Sequence, residues 1–189
     1  MIDCVLARWQ PVIGDPTWQG WATVLVYLTT VGLALAAAGQ PGPADGHRTR
    51  ERIFWLVTAL VMAALAVNKQ LDLQSALTAA GRCLAQAQGW YDRRRPVQIG
   101  FLAGLAILAL VFLGVLLKLL KGSLLRSILP VVGLVFVCAF VLMRATGFHH
   151  ADRLLGLPVL GMRANTVLEW TGPLLISLGA VRVFRSSRR

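Results

Sequence analysis

IFWLVTALVMAALAVNKQLDLQSAL, residues 53–77, is the stretch on which the fold turns. Ile53 to Val67 contains no charged residue, and then Asn68, Lys69, Gln70, Asp72 and Gln74 crowd together. A run from 53 to 67 is shorter than the ~20 residues that cross a hydrocarbon layer. The helix is therefore expected to begin near Arg52 and run on through Asn68 and Lys69 to about residue 70. Its polar groups then emerge at the membrane boundary.

The rest of the chain agrees with that reading. Of 189 residues, 57% are hydrophobic and 14% charged, and the mean hydropathy is +0.67. Soluble domains carry about 25% charged residues. Four further apolar runs are span candidates at 21–38, 99–117, 128–144 and 166–183. Trp18 and Trp21 are placed to anchor the first at an interface. The expected fold is all-α: a polytopic transmembrane helical bundle of about five spans in a single integral-membrane domain. Residues 71–88 form an amphipathic segment between spans two and three. On a helical projection Leu73, Ala76, Leu77, Ala80, Leu84 and Ala87 make its apolar stripe, and Asn68, Asp72, Ser75, Arg82 and Gln86 its polar one.

The small-residue run LAAAGQ after the first span resembles a leader-cleavage site. The stretch before it is long and carries Asp3 and Asp15 against Arg8, unlike the short basic start of a leader, so cleavage is not expected. Cys4, Cys83 and Cys138 form no CxxC pair; Cys138 is expected to pack as a small hydrophobe, and Cys4 and Cys83 could meet only if they share a compartment, a pairing that is not expected.

A net charge of +11 raises nucleic acid as a partner. The arginines instead flank apolar runs, as topology signals and headgroup contacts do, so the expected partner is the lipid bilayer. Five spans place Arg48, Arg50, Arg52, Lys118, Lys121, Arg126 and the arginines from Arg182 onward on one side. Those basic residues lie in short segments, where the positive-inside bias is strongest. The expected location is a bacterial inner membrane, with the N-terminus outside and the C-terminus cytoplasmic.

That topology gathers a polar set at one face: Asn68, Lys69, Gln70, Asp72, Arg144, His149, His150, Asp152, Asn165 and Glu169. Ionisable groups at membrane depth are costly and mark paired structure or function. Asp72 is expected to pair with Arg144 or Lys69, and Asn165 to cap the fifth span. His149, Asp152 and Asp72 are types that could ligate zinc, but there is no HExxH, and adjacent histidines do not readily face one ion. Zinc is the one cofactor raised, and only by ligand type.

The strings NKQLDLQ, GWYDRRRPVQ, FHHAD and NTVLEW resemble a family of bacterial multi-pass membrane proteins. The resemblance covers most of the chain from Trp18 onward. It implies a multi-pass membrane protein and carries no activity and no residue roles. The expected function is a membrane-embedded binding or accessory subunit, with other membrane subunits or a lipid-linked ligand as partners. The alternative is a metal-dependent membrane hydrolase acting on a lipid-linked substrate. Whether the chain is an enzyme is left open by the sequence.

Overall fold

The structure is a computed structural model and describes residues 1–40, 48–146, 158–159 and 162–187. The regular secondary structure of the described chain is helical, apart from a two-residue antiparallel pairing of Pro158–Val159 with Met162–Arg163. The helices are α1 (Ile2–Leu6), α2 (Trp18–Ala38), α3 (Arg48–Leu71), α4 (Leu73–Ala87), α5 (Arg94–Leu119), α6 (Ile128–Thr146) and α7 (Ala164–Ser187), with a 3-10 turn over Tyr91–Arg93 before α5. Five of them, α2, α3, α5, α6 and α7, are long and apolar enough to cross a membrane. The all-α membrane bundle expected from the hydropathy pattern is the observed architecture.

The core lies among α2, α3, α6 and α7. Phe54, Met62, Leu134 and Ile176 are fully enclosed there, with Ala34 and Ala180 where helices approach closely. Buried threonines satisfy themselves locally. Thr23, Thr30 and Thr58 each donate to the carbonyl four residues back at 2.8 Å, so they sit in an apolar bundle without an orphaned hydroxyl. Glycine sets the spacing of α6 on α7. A Cβ added at Gly133 would lie 2.7 Å from the Gly172 carbonyl oxygen, and one at Gly172 would lie 2.8 Å from the Gly133 carbonyl oxygen. Without hydrophobic drive between helices in lipid, such close backbone contact is a main source of association.

α5 stands apart. Leu116 is its one buried residue, and Ile107, Leu108, Leu110 and Val111 point outward. The helix touches α6 and α3 near its C-terminal end, where Leu116 and the following Leu120 join the core.

The helix of the opening stretch ends at Leu71, and Asp72 takes a left-handed conformation, φ 45° and ψ 52°, before α4 starts. Aspartate tolerates that region better than most side chains, so the break falls where the sequence allows it. The leucine stripe of α4 is turned outward. Leu73, Leu77 and Leu84 are exposed, while Ala79, Cys83 and Ala85 are buried, because α4 packs against α1. One expectation is corrected: Cys4 and Cys83 form a disulfide, with Cα atoms 6.1 Å apart. That contact of α1 with α4 spans 79 residues of sequence, and no local pattern announces it. Cys138 is a free thiol.

Candidate functional site

The end of the bundle where α3 finishes and α7 begins holds a connected set of charges. Lys69 lies in the last turn of α3, and its ammonium sits between two carboxylates, 3.1 Å from Asp15 Oδ2 and 3.2 Å from Glu169 Oε2. Glu169 is 7% exposed. Its other oxygen accepts a hydrogen bond from the Tyr27 hydroxyl at 3.2 Å. Arg144, at the end of α6, is close enough to act on Tyr27 electrostatically. Four helices and the segment before α2 therefore contribute. Lys69 is the partner of both carboxylates, and Arg144 is exposed at the edge of the cluster. Pairing of this kind is what allows charge to be sunk into an apolar bundle.

The segment from Arg8 to Thr17 lies across this end as a strap. The Trp9 indole N–H donates to the Leu71 carbonyl at 3.0 Å, and the Arg8 guanidinium donates to Gln86 Oε1 at 2.9 Å. The Gly14 amide donates to the Gln70 carbonyl at 2.6 Å. These two carbonyls belong to the last turn of α3, which has no helical donor for them. A Cβ at Gly14 would meet both the Gln70 oxygen and the Asp72 side chain at 3.2 Å, so glycine permits the approach. Thr17 then caps α2, its hydroxyl oxygen accepting from the Gly20 amide at 3.1 Å while donating to Asp15 Oδ1 at 2.6 Å. Partial burial pushes the Asp15 carboxyl up, but the Thr17 hydroxyl and the Lys69 ammonium outweigh it and hold Asp15 below its ordinary value.

Of the residues singled out from sequence, Lys69 and Glu169 meet directly, and Arg144 lies near them. Gln70 and Asn165 occupy the same end. Both side-chain polar atoms of Gln70, and Asn165 Oδ1, are buried and lack a hydrogen-bond partner. Asn165 lies inside the first turn of α7, which begins at Ala164, so it is not the cap expected of it. Asn68 is half-buried, and its carbonyl accepts from the Asp72 amide at 2.9 Å. The expected ion pair of Asp72 with Arg144 or Lys69 is not formed: the described Lys69 pairs are with Asp15 and Glu169. Asp72 instead serves the backbone as the hinge between α3 and α4. His149, His150 and Asp152 lie outside the described residues. Among the described residues no group of three or more His, Cys, Asp or Glu side chains is placed to hold a metal ion.

Sequence reading missed Asp15 and Tyr27. Tyr27 carried a signal, being a hydroxyl-bearing side chain nine residues into α2, about 13 Å along the helix axis. Asp15 carried less, because its role depends on the strap folding back. No protein-family model, curated protein or solved structure matches the chain.

Proposed function

We propose that this chain is a membrane-embedded binding or accessory subunit of a bacterial inner membrane, working through the polar cluster around Lys69 and Glu169. The observation that carries the reading is the set of unmet amide atoms beside that cluster. An unsatisfied buried donor or acceptor costs about 1–3 kcal/mol. Gln70 leaves a donor and an acceptor unmet and Asn165 an acceptor. Stability alone would favour leucine at both positions. Amides held in that state next to fixed charges suit a ligand that brings its own donors and acceptors, such as the polar part of a lipid-linked molecule.

The Cys4–Cys83 disulfide supports an orientation with this end on the outside. Disulfides persist in oxidising compartments and are rare in the cytosol. The strap, α4 and the cluster share one end with it, and the short basic segments at Arg48 and Lys118 belong to the other.

Native mass spectrometry of protein extracted gently from membranes tests the site. We expect a retained polar-lipid adduct on the wild type and its loss in Gln70→Leu/Asn165→Leu, with the variant's thermal midpoint unchanged or raised. Identical adduct patterns in the two proteins would remove the amides from any binding role.

A further inference from the structure

The opposite end of the bundle carries a second site of different chemistry. A cleft opens where α2 ends and α3 begins, lined by Ala38, Arg48, Glu51, Arg52 and Trp55, with Arg126 reaching in from the segment before α6. Arg48, Arg52 and Arg126 are exposed, whereas Trp55 is 3% exposed and forms an apolar floor. Arg48 and Arg52 line the cleft from the first two turns of α3, the positive end of that helix's dipole. Guanidinium forks at such a place suit a phosphate.

Glu51 narrows the class. Its Oε1 is buried and has no hydrogen-bond partner. A simple phosphate would repel this carboxylate and leave the oxygen unmet. A phosphodiester that also bears an ammonium would place its phosphate on the arginines and its amine on Glu51. The cleft lies where the apolar spans give way to arginines, at headgroup depth. We infer that it binds a phosphoethanolamine-type headgroup, the chemistry of a zwitterionic phospholipid. This inference does not depend on the role of the Lys69 cluster.

The test uses full-length, delipidated protein in a non-ionic detergent. Dihexanoyl phosphatidylethanolamine, dihexanoyl phosphatidylglycerol, free phosphoethanolamine and inorganic phosphate are titrated by calorimetry. We expect saturable one-site binding of the phosphatidylethanolamine, about tenfold tighter than the phosphatidylglycerol, given the strength of charge-assisted hydrogen bonds. Arg48→Gln/Arg52→Gln is expected to weaken both lipids at least about tenfold. Glu51→Gln is expected to abolish the preference between them. Both arginines are exposed, so the double variant should keep the wild-type thermal midpoint. If it does not, the single Arg48→Gln variant, with a smaller loss, takes its place. Free phosphoethanolamine binding as tightly as the lipid would support the headgroup chemistry and assign a soluble source. Phosphatidylglycerol or inorganic phosphate binding as tightly as the phosphatidylethanolamine would overturn the inference. So would wild-type affinity in the arginine variants.

Discussion

Asp72 and Lys69 stand three residues apart in sequence and do different work. Asp72 holds a left-handed backbone position and enters no described ion pair. Asp72→Gly should therefore be tolerated or slightly stabilising, since glycine adopts that conformation without steric cost, while Asp72→Val should destabilise. Unfolding in detergent followed by circular dichroism separates these outcomes, and a large loss on Asp72→Gly would restore a charge role. Lys69 is different. Lys69→Gln leaves Glu169 buried with Tyr27 alone and should cost about 3–5 kcal/mol. Glu169→Gln leaves Lys69 its pair with Asp15 and should cost less, and the double variant should recover part of the loss. Additive single effects would refute the pairing. Asp15 gives a pH test. Its folded pKa lies below its unfolded value of about 3.9. Its contribution is therefore complete above that value and is lost as pH falls through the folded pKa. Asp15→Asn should flatten the thermal midpoint between pH 5 and pH 2, roughly the window of that transition. An unchanged slope would show that the Lys69 contact does not bear on stability.

Glycine has two meanings among the helices. In α6 and α7, Gly133 and Gly172 are where two backbones touch. In α5, a Cβ at Gly100, Gly104 or Gly114 would meet nothing within 4 Å. Gly133→Val should therefore force α6 from α7 and cost about 1–3 kcal/mol by overpacking, or more if the pair separates. Gly104→Ala should be neutral or should stabilise by about 0.5–1 kcal/mol through helix propensity. Paired thermal-shift measurements of the two variants check this, and equal effects would mean that α5 packs as tightly as α6. α4 shows the same lesson for amphipathic pattern. The periodicity marks a two-faced helix correctly, but in a membrane protein the leucine face has lipid as well as protein to turn towards. The partner on the protein side is α1, joined through Cys83.

The whole molecule is a four-helix core with one loosely attached span and a strap fastened by a covalent bond. The strap contributes Asp15 to the cluster, and its contacts with residues 69–71 position that carboxylate. Cys83→Ser removes the closure of a 79-residue separation, for which chain entropy alone sets a ceiling of about 4–5 kcal/mol. The expected result is a lower thermal midpoint and a weaker pH response from Asp15, since both arise from a strap held in place. A midpoint indistinguishable from wild type would show that the noncovalent contacts suffice. Orientation is tested separately. Reporter fusions after Gly46 and Arg189 should read cytoplasm, and one after Gly89 the outside. A Gly46 fusion on the outside would reverse the proposed topology.

Residues 53–77 and the other apolar runs were enough to establish an all-helical membrane chain with five spans. Spanning depends on length and local hydropathy, which are additive along a sequence, and backbone groups in lipid have no choice but helix or closed barrel. Lys69 and Glu169 were legible as costly charges for the same reason, being ionisable groups close to the bilayer. Their partners were not legible. Asp15 and Tyr27 come from the strap and from α2, distant in sequence, and a pair energy depends on separation in space. The outward turn of the α4 leucines and the Cys4–Cys83 bond share that origin. Each depends on α1 folding back against α4, an event with no period and no spacing in the sequence, decided by which surfaces the assembled helices leave to be covered.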